Sequence, residues 1–120
     1  MPERKLRLAV VGCGAIAERG HIPAARRVDE VRLVALVDSD TARAEALARR
    51  FGVPRVAATL SGVAAEVDAA ILATPPHVRP AVAEEAFREG LHVLCEKPLA
   101  NTASEAEAIL RAAARARRVL

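Results

Sequence analysis

The chain has no tryptophan, no tyrosine, two phenylalanines, one methionine and two cysteines in 120 residues. With so few aromatics the core must be built from Val, Leu, Ile and abundant Ala, which suits close packing of helices on a sheet. Cys13 and Cys95 lack C-x-x-C spacing and a surrounding histidine cluster, so no metal centre or redox pair is expected and both should be free thiols. Long apolar runs are missing too. No stretch reaches the ~18 residues of a membrane span, and Met1-Pro2-Glu3-Arg4-Lys5 leads straight into a strand without a signal-peptide profile. A soluble, cytoplasmic protein with no membrane partner is the expectation. Lysine is also scarce: 16 of the 18 basic residues are Arg, the net charge is +3, and the positions are scattered rather than blocked. That scatter argues against a nucleic-acid footprint. The one local group, Arg111, Arg115, Arg117 and Arg118, falls where positive charge complements a helix C-terminus.

What is present is an ordinary globular composition, 52% hydrophobic and 28% charged. The length accommodates one domain, residues 1–120, and no second domain of ordinary size. Leu6 to Val11 is a short branched run ending at Gly12, as a buried parallel strand ends. Ala15 to about Val28 reads as a helix interrupted by Gly20 and Pro23, in two pieces or with an irregular turn. Val31 to Val37 is a second strand, closed by Asp38. Asp40 is a candidate N-cap for a helix over Thr41 to Arg50, which Phe51-Gly52 stops. Arg55 to Ala57 is a minimal third strand, Thr59 to Ala65 a short helical connection, and Ala69 to Ala73 the fourth strand. A helix over Ala81 to Glu89 follows Pro80, Gly90 stops it, and Leu91 to Cys95 is strand five. Thr102-Ala103-Ser104-Glu105 has capping-box spacing and opens a helix to about Arg117, after which Val119-Leu120 reads as the start of another strand.

Strands alternating with helices predict an α/β fold, a doubly wound parallel sheet with helices on both faces. Right-handed crossovers favour the strand order 3-2-1-4-5, with a ligand crevice at the carboxyl ends of strands one and four.

The chemistry-bearing residues fall at those strand ends. Gly12-Cys13-Gly14-Ala15-Ile16-Ala17 is G-x-G-x-x-A between strand one and its helix. Gly12 allows the tight turn, Gly14 lets a pyrophosphate approach the backbone, and Ala17 permits close packing of helix on strand. Phosphates would then sit on free amides at a helix N-terminus. Asp38 lies 21 positions after Ala17. There it would accept from the adenosine ribose hydroxyls and repel a 2′-phosphate, which favours NAD over NADP; capping the Ser39-Asp40 turn is its plainer alternative. Arg43 offers a phosphate partner only from a full turn into the helix. Ala73-Thr74-Pro75-Pro76-His77 follows strand four, and its two prolines should hold the backbone extended as a wall for the nicotinamide half, or simply make a strand-to-helix turn. His77 reads either as a cofactor contact or as an exposed polar residue. Glu96-Lys97-Pro98 follows strand five, where Lys97 could hydrogen-bond the cofactor ribose and a substrate hydroxyl or serve the loop alone.

Taken together with Gly90-Leu91-His92-Val93-Leu94-Cys95-Glu96-Lys97-Pro98-Leu99-Ala100, these motifs resemble the Gfo/Idh/MocA oxidoreductases, from Leu6 to about Arg118. The resemblance implies a Rossmann domain binding nicotinamide dinucleotide for oxidation or reduction of a sugar, cyclitol or similar hydroxy compound. It implies that Lys97 is the catalytic lysine, with Glu96 and Pro98 shaping its loop. It also implies that the remaining acid/base residues belong to a following α/β domain outside these 120 residues. The isolated chain is therefore expected to bind cofactor without turnover, and to self-associate through an unpaired sheet edge. A non-catalytic dinucleotide-binding or interaction module is the rival reading. One departure stands out: where the family commonly carries a histidine, three positions after the second proline, this chain has Arg79. His21 and His92 read as structural.

Overall fold

The computed structural model describes residues 4–120. Five parallel strands, β1 (Leu6–Val11), β2 (Val31–Val37), β3 (Arg55–Ala57), β4 (Ala69–Leu72) and β5 (His92–Cys95), form one sheet in the order β3-β2-β1-β4-β5. The helices are α1 (Ile22–Arg27), entered through a π-turn over Ala17–His21, then α2 (Thr41–Phe51), α3 (Arg79–Arg88) and α4 (Ala103–Ala116). Two 3₁₀ turns, Leu60–Gly62 and Ala64–Glu66, make the connection from β3 to β4. The interrupted first helix thus takes the irregular form that Gly20 and Pro23 suggest.

Side chains alternate between two cores. Ala9, Val11, Ala70 and Leu72 face α3, α4 and the 3₁₀ turns, while Leu8, Val10, Ala69 and Ile71 face α1 and α2. Alternation of this kind follows from the two-residue period of a strand. It slips once: Leu8 pairs with Leu33 and Ala9 with Ala35, so Val34 is an extra residue in β2. Val34 and Ala35 consequently both join the α3/α4 core. Alanine at Ala44, Ala48, Ala83, Ala86, Ala112 and Ala113 lets the helices lie close to the sheet.

The caps form as the sequence suggests. Asp40 Oδ1 accepts the Arg43 amide at 3.2 Å, and Thr102 Oγ1 accepts the Glu105 amide at 3.1 Å. The Glu105 carboxylate reaches back to the Asn101 amide, at 3.3 Å, one residue upstream of the cap. Helix α4 stops at Ala116 because Arg117 turns left-handed with φ 55°, and Arg118 N then donates to Ala113 O at 3.1 Å. This is the closure that glycine usually makes. Beyond it Val93 N donates to Val119 O at 2.9 Å and Val119 N to His92 Nδ1 at 3.0 Å, so the chain begins to line the outer edge of β5 without forming a strand. Among the described residues no helix is long and apolar enough to cross a membrane, and no His/Cys/Asp/Glu group is placed to hold a metal.

Candidate cofactor-binding site

All the chemistry-bearing loops meet at the carboxyl ends of β1, β2, β4 and β5. Gly12 N donates to Val37 O at 2.8 Å, Ala73 N to Val11 O at 2.8 Å, and Glu96 N to Leu72 O at 3.0 Å, so each loop leaves from a strand end tied to its neighbour. Gly12 has φ 93°, and a Cβ there would stand 2.9 Å from the Ala73 carbonyl and the Thr74 nitrogen. It is the backbone of β4's loop, pressed against this turn, that requires glycine. Gly14 differs: a Cβ would meet nothing within 4 Å, because the residue faces open crevice.

The helical hydrogen bonds begin with Glu18 N to Gly14 O at 3.0 Å. The amides ahead of it, Gly14 through Ala17, therefore have no partner inside the helix, the arrangement that suits an anion. Beside them the Asp38 carboxylate is held from both sides, Oδ2 by the Cys13 amide at 2.8 Å and Oδ1 by the Asp40 amide at 2.8 Å. Asp38 thus caps its own turn and also ties β2's end to the glycine turn. Each oxygen keeps a further acceptor site for a hydroxyl. The buried Cys13 thiol is pushed up to about 11, first by burial and then by the neighbouring Asp38 carboxylate. Burial likewise raises Cys95. Both are uncharged at neutral pH.

Across the crevice the loop after β4 is not the extended wall expected of two prolines. Val78 N donates to Pro75 O at 3.2 Å, closing a turn over Pro75–Val78 that leads into α3. The fixed φ of Pro76 suits the second position of such a turn, so this proline shapes a bend. His77 is exposed and does not line the cavity, whereas Thr74, Pro75 and Pro76 do. The Glu96–Lys97–Pro98 loop stands opposite, its Lys97–Pro98 peptide cis. Glu96 Oε2 lies 3.5 Å from His21 Nε2, at ion-pair range but short of hydrogen-bond geometry.

The resulting cavity, about 600 Å³, brings together Gly12, Cys13, Gly14, Ile16, Asp38, Ala73, Thr74, Pro75, Pro76, Glu96 and Lys97. Ala15 and Pro98 are exposed and outside its wall; Ala15 contributes an amide to the helix end, and the Pro98 carbonyl is turned to Arg79. Two more residues join them. Arg43, which the sequence offered as a phosphate partner from a full turn into the helix, does reach the wall, its guanidinium 3.8 Å from Asp40, and Arg79 lines the cavity from within the fold. No sequence signal announces a buried arginine at 79. A second hollow of about 410 Å³ shares Gly12, Asp38, Thr74 and Pro75 and continues to Ser39, Val78 and Val82. Buried polar atoms are normally satisfied. Among the described residues the buried side-chain atoms without a hydrogen-bond partner are Thr74 Oγ1 and Arg79 Nε, whose residues line the crevice, and His21 Nε2, beside Glu96.

Free amides beside a fixed acceptor of hydroxyls, placed where the strand order reverses, are what a dinucleotide requires, and the fold is that of an NAD(P)-binding Rossmann domain. Residues 6–120 match the model of the Gfo/Idh/MocA oxidoreductase family, NAD-binding Rossmann fold, and the chain belongs to that family. It is 34% identical over 117 residues to a D-apiose dehydrogenase of Paraburkholderia graminis, covering 94% of this chain and 30% of the relative. It is 40% identical over 113 residues to a dTDP-3,4-didehydro-2,6-dideoxy-alpha-D-glucose 3-reductase of Streptomyces antibioticus, covering 92% of this chain and 34% of the relative. The chain therefore spans about a third of the length of these curated relatives. Among solved structures, KijD10, a 3-ketoreductase from Actinomadura kijaniata in complex with NADP, superposes with TM-score 0.91 at 29% identity, over 98% of this chain and 38% of that one. The WlbA dehydrogenase from Chromobacterium violaceum in complex with NADH and UDP-GlcNAcA superposes with TM-score 0.88 at 34% identity, over 98% and 34%.

Proposed function

We propose that this domain is the cofactor-binding part of a dehydrogenase or reductase acting on a sugar, cyclitol or related hydroxy compound, that it takes NAD(H) in preference to NADP(H), and that Lys97 is its catalytic lysine. The observation that carries the cofactor preference is the Asp38 carboxylate, fixed between the Cys13 and Asp40 amides at the rim of the crevice. A 2′-phosphate would meet this charge. Two unit charges ~4 Å apart at an effective dielectric of about 20 repel by roughly 4 kcal/mol. If about a third of that survives solvent relaxation, NAD is favoured about tenfold. Arg43 in the same wall stands 3.8 Å from Asp40 as an exposed pair and is a cation there that a phosphate could recruit against this preference.

The fit extends along the crevice. The amides from Gly14 to Ala17 and the open space at Gly14 suit a pyrophosphate. Asp38 suits a ribose, and the Glu96–Lys97 side suits the redox end. The nicotinamide ring, when bound, supplies the two-electron redox chemistry. Lys97, exposed at the crevice wall, would hydrogen-bond the ribose and a substrate hydroxyl and steady the proton that leaves or arrives there. The sugar substrate class rests on the relatives, which are named for sugar and nucleotide-sugar chemistry. Lys97 is only one of the groups that proton transfer needs, and the remaining acid/base groups are proposed to come from a following α/β domain.

Titration of the ¹⁵N-labelled chain with NAD⁺ tests this placement. Amide shifts are expected at Gly12 to Ala17, Asp38 to Asp40, Thr74 and Glu96 to Lys97. Shifts confined to other surfaces would remove the crevice from the role assigned to it.

A further inference from the structure

Arg79 is 2% exposed, the one buried charged side chain among the described residues. No carboxylate pairs with it. Its guanidinium is instead wrapped in backbone carbonyls: Nη1 donates to Glu96 O at 2.6 Å and also to Pro98 O, and Nη2 donates to Thr74 O. The two residues gripped by Nη1 are those immediately before and after Lys97, while Nη2 holds the loop after β4. Three acceptors in two directions call for the planar fork of arginine; a lysine is a point charge, and an imidazole offers two N–H groups at most. On its far side the Glu96 carboxylate comes to 3.5 Å from His21 Nε2, in the π-turn behind the glycine motif, without a hydrogen bond. The side-chain hydrogen bonds that hold the Lys97 loop are therefore those of Arg79.

We propose that Arg79 is a positioning residue for Lys97: by clasping the carbonyls of Glu96 and Pro98 and tying them to Thr74, it fixes where Lys97 stands against the redox end of the cofactor. Arg79 touches no cofactor atom in this role and acts through the loop. The inference rests on Lys97 being the lysine at that end, as proposed above. It predicts a local effect, in which changing Arg79 disturbs what happens beside Lys97 and spares the adenosine and pyrophosphate end, some distance off on the amides of Gly14 to Ala17.

The chain contains only two lysines, Lys5 and Lys97. Reductive ¹³C-methylation, which keeps the charge, therefore gives a lysine spectrum simple enough to follow Lys97 alone, assigned through Lys97→Met. The experiment compares wild type with Arg79→Gln and Arg79→Met, each checked for folding by circular dichroism, by titrating NAD⁺ and ADP separately. ADP carries the adenosine and both phosphates and lacks the nicotinamide riboside. Expected in the variants are a loss of about tenfold in NAD⁺ affinity with less than about twofold change for ADP, and collapse of the NAD⁺-induced shift of the Lys97 methyl signal. In a Lys97→Met background, Arg79→Gln should cost no further NAD⁺ affinity, because one residue acts through the other. A merely structural arginine would lower the melting temperature and leave the NAD⁺ to ADP ratio unchanged. A folded variant with the wild-type ratio and the wild-type Lys97 signal, or losses that simply add in the double variant, would overturn the proposal. Wild type failing to bind NAD⁺ would sink the reading of the crevice itself, a separate outcome visible before any variant is made.

Discussion

The carboxylate of Asp38, at the end of β2, accepts the amide of Cys13 in the middle of the glycine turn at 2.8 Å. One residue therefore joins two loops of the crevice and fixes a carboxylate in its wall, where the proposed reading puts the adenosine ribose. Asp38→Asn keeps the size, removes the charge and offers the Cys13 amide a weaker acceptor. The expected result is a modest loss of NAD⁺ affinity and a larger relative gain for NADP⁺, narrowing a tenfold preference to about twofold. Paired calorimetric titrations of the variant check it, and an unchanged ratio would assign Asp38 to its turn alone.

The two glycines of the motif should separate in their effects. Gly12→Ala puts a Cβ 2.9 Å from the Ala73 carbonyl and the Thr74 nitrogen at φ 93°. Backbone strain and the clash should cost about 2–4 kcal/mol, seen as a lower urea midpoint. Gly14→Val meets open space, so its urea midpoint should stay near wild type while dinucleotide binding falls at least about tenfold. Binding retained by a folded Gly14→Val would contradict the pyrophosphate cradle.

At the opposite end of the sheet, Asp68 accepts from the Arg7 amide at 2.9 Å and from the Arg7 and Arg4 guanidinium groups at 3.0 and 2.6 Å. The Arg7 hydrogen bond is the main reason its carboxyl is held down at about 2, from an ordinary 3.8. A carboxylate whose folded pKa is depressed stabilises the fold above its unfolded pKa, and that contribution is lost as pH falls through the folded value. The window here runs from about pH 4 down to about pH 2. Asp68→Asn should therefore lower stability by about 1 kcal/mol at pH 7, with the difference closing by pH 2. Denaturant melts at both pH values test it, and a gap that persists at pH 2 would point to shape rather than charge.

Most of the fold is written in local signals. Each strand is an apolar run stopped by a residue that cannot continue it, as Gly12 stops β1 and Asp38 stops β2, and the caps at Asp40 and Thr102 lie where their side chains can reach a free amide. The strand order follows from the handedness of the crossovers. What was not legible depends on partners distant in sequence. Val34 is extra in β2 only because of its register with β1. Arg117 takes a left-handed turn with no glycine to announce it, and the carbonyls of Ala113 and Ala114 that close this turn look the same in any helix. Pro76 could serve an extended wall or a bend, and the approach to α3 selects the bend. Arg79 stood in the sequence as a departure from the family's pattern. Its burial against carbonyls 17 and 19 positions away is invisible until β4 and β5 lie side by side.

The crevice is proposed to bind NAD(H) in preference to NADP(H). Isothermal calorimetry of the purified chain against NAD⁺ and NADP⁺, at matched low ionic strength so that the Asp38 charge is least screened, measures it directly. One site per chain and about tenfold tighter binding of NAD⁺ are expected, with the gap shrinking as salt is added. Equal affinities, or a preference for NADP⁺, would contradict the proposal.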